Sequence, residues 1–215
     1  MYKAILFDLD GTLTASGEGI TKSVQYALSK MGIEEPDLQK LEGFVGPPLM
    51  EQFQRYAGFS EADARRAVEY YRERYATVGI YENYPYEGIE QLLGTLKERG
   101  YFLAVASSKP EYFVNQVLDY FRLTSYFDVI VGSEMNGCRT RKAEVIAEAL
   151  RRLGFSNKRK QVIMVGDKEH DVYGAREEGL DCVAVSYGYG TQEELAQAEP
   201  LKIVSSVREL EDFFL

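Results

Sequence analysis

Short apolar runs punctuate the chain at positions 4–7, 102–106, 129–131, 162–165 and 182–185, and each stops abruptly at a polar residue or a glycine. Runs of this length, uninterrupted by charge, are how strands buried on both faces of a parallel sheet read. The segments between them carry helical spacing. Ile89, Leu92, Leu93 and Leu96 form one stripe, Phe113, Val117, Leu118 and Phe121 a second, and Val145, Ile146, Ala149 and Leu150 a third. Strands alternating with such helices predict an α/β fold with a doubly wound parallel sheet.

The alternation lapses between the first strand and about position 83. Ile20, Val24, Ala27, Leu28 and Met31 recur at helical spacing and end at Gly32. A second helix is predicted over 49–57, stopped by Gly58. A third starts at Ser60, with Asp63 at the reciprocal capping position. The reading is an all-helical cap at 15–82 inserted into an α/β core made of 1–14 and 83–215. Its hinges are "TASGEG" (14–19) and "GIYENYPYEG" (79–88), rich in glycine and other loop residues.

Composition removes several function classes. A net charge of -9 makes nucleic acid and anionic membrane surfaces poor partners. No stretch approaches the roughly 18 apolar residues that a membrane span needs, and the first apolar run halts at Asp8, unlike a secretory signal. Cys138 and Cys182 fit no metal or redox spacing and read as reduced thiols of a cytoplasmic protein. His170 is the sole histidine, so a serine triad or a multi-histidine zinc site has too few parts, and acid–base work falls to carboxylates or lysines.

Four strand ends carry the candidate chemistry. In "ILFDLDGTL" an extended backbone puts Asp8 and Asp10 on one side, at the sheet edge where open α/β folds bind ligands. Two converging carboxylates are tolerable around a cation, or if one keeps a proton. The competing reading is an Asp-Gly hairpin turn, weakened because "TLTASGEG" makes a poor return strand. "VIMVGDKEHD" brings Asp167 to the same edge, with Asp171 one helical turn on; oxygen ligands of this kind suit Mg²⁺. As an ordinary strand-to-helix loop it would instead use Asp167 as an N-cap. In "AVASSKPEYF", Ser107 and Ser108 precede a helix that starts at Pro110, an arrangement that both caps a helix and binds anions. Lys109, ahead of proline, either aims at the pocket or is solvated. Lys142 opens the helix after the third strand, where a site with several anions needs a fixed cation.

Taken together, these strand ends closely resemble the haloacid dehalogenase-like (HAD) superfamily. "FDLDGTL" matches its first motif, Ser107 its second, Lys142 its third and "GDKEHD" its fourth, and the likeness extends to the helical cap. The resemblance implies a phosphatase in which Asp8 attacks phosphorus and becomes an aspartyl phosphate. Asp10 would protonate the leaving oxygen and later activate water, and on this reading it keeps a proton at rest, helped by Asp8 and a closed pocket. Mg²⁺ would be held by Asp8, the Asp10 carbonyl and Asp167, with Asp171 supporting. Ser107, Lys142 and the amides around Leu9 and Ser108 would hold the phosphoryl oxygens.

The presence of Asp10 argues against dehalogenation. A phosphomutase shares these motifs, and a receiver-type phospho-acceptor domain also combines acids, a hydroxyl and a lysine. The inserted helices and the Asp-x-Asp spacing argue against the receiver. The loop "GFVGPPL" (43–49), including Gly46, reads either as a cap element over the pocket or as a helix–helix connection. It and "YGYGTQEEL" look like their counterparts in phosphoglycolate phosphatase-like proteins and bacterial 5'-nucleotidases. The partner implied is a small phosphorylated metabolite, with no obligatory protein partner.

Overall fold

The computed structural model describes residues 2–215. Six parallel strands, β1 (Ala4–Phe7), β2 (Phe102–Pro110), β3 (Val129–Ser133), β4 (Val162–Gly166), β5 (Asp181–Val185) and β6 (Lys202–Val204), form one sheet in the order β3-β2-β1-β4-β5-β6. This doubly wound order differs from the 2-1-3-4-5 order typical of receiver domains. Odd and even positions of β1 serve opposite layers, which is why the run carries no polar residue. Ile5 and Phe7 join one core cluster with Leu103, Val105, Ile163 and Val165, whereas Ala4 and Leu6 join another with Ala104 and Met164.

Register positions the site. Phe7 lies level with Val105 of β2 and Val165 of β4, so the residues that follow emerge side by side at the carboxyl edge. The Asp8 N–H donates to the Val165 carbonyl at 2.9 Å, extending the ladder one step into the motif.

Two strands depart from expectation. β2 does not end at Ala106 but continues to Pro110, with its pairing to β3 slipping between those residues. Pro110 is consequently the N-cap of its helix rather than the first helical residue. β6 escapes the pattern because it is a three-residue edge strand in which only Val204 is buried.

The interval after β1 folds as α1 (Gly17–Lys30), α2 (Leu49–Ala57) and α3 (Glu61–Tyr75), with 3-10 segments at Leu38–Phe44 and Gly79–Tyr81. The α1 stripe of Ile20, Val24, Ala27 and Leu28 is buried, and Gly58 closes α2 in the left-handed conformation. Ser60 caps α3 by accepting the Asp63 N–H at 3.2 Å. Its hydroxyl also donates to the Asp63 carboxylate at 2.7 Å, so the reciprocal contact runs between side chains. The two connections to this helical segment run side by side. Ala15 N–H donates to Tyr84 O, Tyr86 N–H donates to Leu13 O, and a Cβ on Gly19 would fall 1.9 Å from Gly79 O. α1 begins at Gly17, inside the stretch read as a hinge.

The core helices are α4 (Ile89–Glu98), α5 (Glu111–Tyr120), α6 (Lys142–Leu153), α7 (Glu169–Glu177), α8 (Gln192–Ala198) and α9 (Val207–Phe214). Among the described residues no helix is long and apolar enough to cross a membrane.

Candidate active site

Asp8, Asp167 and Asp171 converge at the carboxyl edge of β1 and β4. One carboxylate oxygen from each lies within 4.8 Å of the others, and all three residues are buried. Lys142, the first residue of α6, reaches in from the side. Its Nζ sits 2.9 Å from Asp8 Oδ1 and 2.8 Å from Asp171 Oδ1, and donates to the Ala106 carbonyl at 3.1 Å. Neither carboxylate oxygen receives a well-directed hydrogen bond, so Lys142 holds them chiefly by charge. The other oxygen of Asp171 accepts the Lys168 N–H at 3.0 Å, which fixes the carboxylate against the start of α7. Asp167 Oδ2 accepts the Tyr189 N–H at 2.7 Å, and Thr12 Oγ1 approaches Oδ1 at 3.5 Å.

Burial pushes the Asp8 carboxyl up to about 6; Lys142 opposes the shift, while Asp171 and Asp10 add to it. Asp167 is raised well above the usual carboxylate range by burial, then by Asp171 and Asp8. Burial pulls the Lys142 ammonium down, but the carboxylates of Asp171 and Asp8 more than offset it and leave it raised. Three buried carboxylates, with one ammonium held between two of them, form a site whose negative charge a hard cation with oxygen ligands would neutralise. The residues present therefore fit a divalent metal such as Mg²⁺.

Glycines make this crowding possible. A Cβ on Gly11, whose φ is +81°, would stand 2.1 Å from Asp167 Oδ2. One on Gly188 would meet Asp167 Cβ at 2.4 Å, and one on Gly166 would meet Asp171 Cγ at 2.2 Å. Thr12, Gly188 and Tyr189 lie in segments that the sequence singled out, "FDLDGTL" and "YGYGTQEEL", but were assigned no role of their own. The signal for the last two was the alternating glycine of "YGYG", which carries no mechanism until β5 is known to end beside β4.

Asp10 has a different environment. Lys109 Nζ donates to both of its carboxylate oxygens, at 2.8 and 2.9 Å, and lies 4.7 Å from the centre of the Tyr75 ring. Both Asp10 oxygens therefore face an ammonium, a neighbour opposite in sign to the Asp8 carboxylate from which the expectation of a proton-bearing Asp10 was drawn. The expectation ignored the lysine, which the chain delivers from 99 residues away. Lys109 thus enters the pocket rather than solvent. Ser107 is buried, its Oγ accepting the Lys109 N–H at 3.3 Å. Leu9 is buried, and its carbonyl accepts the N–H groups of Leu13 and Thr14 in the turn after β1. Of the basic residues near the third motif only Lys142 enters. Arg139 turns to the Gly132 carbonyl and Arg141 to Glu177.

Two cavities open onto these residues. Asp10 and Lys109 line one of about 200 Å³, walled on the helical side by Phe44, Tyr71 and Tyr75. Asp8, Lys142 and Asp171 line another of about 180 Å³. Gly46, Pro47, Pro48 and Ser108 border both, so the 43–49 loop joins two helical segments and also stands over the site. Gly46 adopts a φ of +100° there, which only glycine takes readily.

Similarity to known proteins follows the same residues. The model of the haloacid dehalogenase-like hydrolase family matches residues 5–185. A 5'-nucleotidase of Pseudomonas aeruginosa is 47% identical over 199 residues, 93% of this chain and 89% of that protein. Tyrosine-protein kinase PtkA of Mycobacterium tuberculosis is 40% identical over 186 residues, 86% of this chain but 62% of that protein. The crystal structure of a predicted phosphatase from Clostridium acetobutylicum superposes with a TM-score of 0.97 at 47% identity, covering 100% of this chain and 98% of that one.

Proposed function

Since the chain belongs to the haloacid dehalogenase-like hydrolase family and is a phosphoric monoester hydrolase, we propose that it cleaves a small phosphorylated metabolite through a phosphorylated Asp8. The observation that carries this reading is the position of Asp8, one residue beyond β1, beside Lys142 and within 4.8 Å of Asp167 and Asp171. A bound Mg²⁺, held by Asp8, the Asp10 carbonyl and Asp167 with Asp171 in support, would supply positive charge to the phosphoryl oxygens and to the crowded carboxylates.

The side chains divide the remaining work. An Asp8 oxygen attacks phosphorus, and the bond to the ester oxygen breaks as that oxygen takes a proton from Asp10. Asp10 then removes a proton from water, whose oxygen attacks the aspartyl phosphate and returns Asp8 to its free carboxylate with release of phosphate. Lys142 stabilises the charge gathered on the phosphoryl group, with Ser107 and the amides of Leu9 and Ser108 as hydrogen-bonding groups. Before that step Lys109 must release Asp10, an incoming phosphate giving its ammonium a second anion to follow, and the freed carboxylate takes up from solvent the proton that it passes to the leaving oxygen.

The similarity to a 5'-nucleotidase and the phosphoglycolate phosphatase-like loops make 5'-nucleotides and phosphoglycolate the first substrates to assay. Cytoplasmic action is part of the proposal, supported by two free cysteines. The decisive experiment is an acid quench during turnover of p-nitrophenyl phosphate. The expected product is a hydroxylamine-labile phosphoprotein, formed only when Mg²⁺ is present and absent in Asp8→Asn. Unchanged turnover in Asp8→Asn would end the proposal.

A further inference from the structure

The cavity beside Asp10 has an uncompensated cation in its helical wall. Arg72, in the last turn of α3, lines this cavity with Tyr71, Tyr75, Phe44, Lys109 and Asp10. Its guanidinium is half-buried, and burial pulls its ionisation downwards, with only Tyr71 and Glu69 acting on it from a distance. Among the described residues no side chain or carbonyl makes a hydrogen bond or ion pair with it. Glu134, which also lines the cavity, faces Arg139 at 3.6 Å instead. The other cations around the cleft are engaged: Lys109 with Asp10, Lys142 with Asp8 and Asp171, and Lys168 with the Tyr189 carbonyl. Tyr75 adds a buried hydroxyl without a partner to the same wall.

A guanidinium stays charged at any physiological pH, and removing it from water without a counter-ion is unfavourable. Its planar fork suits a carboxylate or phosphate held by two hydrogen bonds. The space before it, about 200 Å³, is below the roughly 300–1,000 Å³ of sites that take drug-sized ligands. A small leaving group fits, with one end at Asp10.

We infer that Arg72 is a specificity-determining residue that pairs with a second anionic group, a carboxylate or a phosphate, carried on the leaving group of the phosphomonoester. The inference rests on the phosphatase reading above and says which esters that phosphatase prefers. The apolar wall of Phe44, Val68 and Tyr71 would flank the carbon atoms between the two anions.

Two matched pairs of small esters test it: phosphoglycolate against 2-hydroxyethyl phosphate for a carboxylate, and propane-1,3-diyl bisphosphate against 3-hydroxypropyl phosphate for a phosphate. The wild-type protein should favour the acidic member of at least one pair by about ten-fold or more in kcat/KM, the difference residing in KM. Arg72→Gln should abolish that ratio, Arg72→Lys should keep part of it, and Arg72→Glu should reverse it. Equal kcat/KM within both wild-type pairs, or a ratio that survives in Arg72→Gln, overturns the inference while leaving the phosphatase intact. Failure of the wild-type protein to hydrolyse p-nitrophenyl phosphate or any of the four esters would instead remove the reading beneath it.

Discussion

Beneath the cleft, Asp8, Asp167 and Asp171 stand on strand ends whose heights are set by sheet register, and glycines let backbone and carboxylate approach within contact distance. Above it, Phe44, Tyr71, Arg72 and Tyr75 come from the inserted helices and present rings and one unpaired cation. The floor is crowded and strongly charged, and little can be altered there without displacing a neighbour. The roof makes few directed bonds, as shown by the unpartnered Tyr75 hydroxyl. On the function proposed above, the contrast separates two tasks: the floor would carry what every phosphoryl transfer requires, while the roof would tell one ester from another.

The sharpest way to break this comparison is to neutralise one floor carboxylate. Asp167→Asn is expected to lower kcat/KM by about a thousand-fold through loss of a proposed metal ligand. In chelator, however, the same change should raise Tm, because a carboxyl whose ionisation is opposed by burial and by Asp171 and Asp8 gives way to an amide that never ionises. Thermal melts with and without Mg²⁺ check both halves; a lower Tm in chelator would show that Asp167 does not bear this electrostatic load.

Crowding can be tested without touching charge. Gly11→Ala puts a methyl 2.1 Å from Asp167 Oδ2 at a φ of +81°. It should cost about 2–4 kcal/mol of stability and about a hundred-fold in activity. Denaturant unfolding alongside Mg²⁺ titration measures these two effects separately. On the roof, Tyr75→Phe keeps the ring near Lys109 and removes a hydroxyl that bonds nothing. It should change kcat/KM by no more than about three-fold and stability by less than about 0.5 kcal/mol. A large loss there would mean that the roof performs chemistry.

pH reads the charge of the floor without any substitution. Asp8 is raised from 3.8 to about 6 by burial, so between those values the folded protein holds a proton that the unfolded chain has released. Metal-free stability from this group therefore falls as pH rises from about 4 to about 6. Glu148, lowered to about 2 by Arg151 and Arg152, contributes in the opposite sense, its stabilisation fading as pH drops below its ordinary 4.5. Melts of the metal-free protein should peak in mildly acid solution, and Asp8→Asn should flatten the alkaline side of that peak.

Much of the fold was legible because it rests on local rules. Five of the six strands are built on an uninterrupted apolar run, and α2 spans 49–57 with its glycine stop, as its spacing requires. β6 and the extension of β2 were not legible, since a three-residue edge strand and a slipped register leave no periodicity to detect. The candidate residues at strand ends were visible for the same reason as the strands: an apolar run ending in carboxylate or serine marks the edge of the sheet.

Their pairings were not visible. Nothing in the order of residues says that Lys109 would grip Asp10, that Tyr189 would donate to Asp167, or that Arg72 would be left without a partner. Those facts depend on which strand ends lie side by side and on how the inserted helices sit over them. The sequence by itself determined the elements and the chemical groups at their ends, because periodicity and residue type act over a few neighbours. Only the tertiary structure decided which charges meet, because a contact such as Lys109 with Asp10 spans 99 residues and exists only once the sheet has aligned its strands.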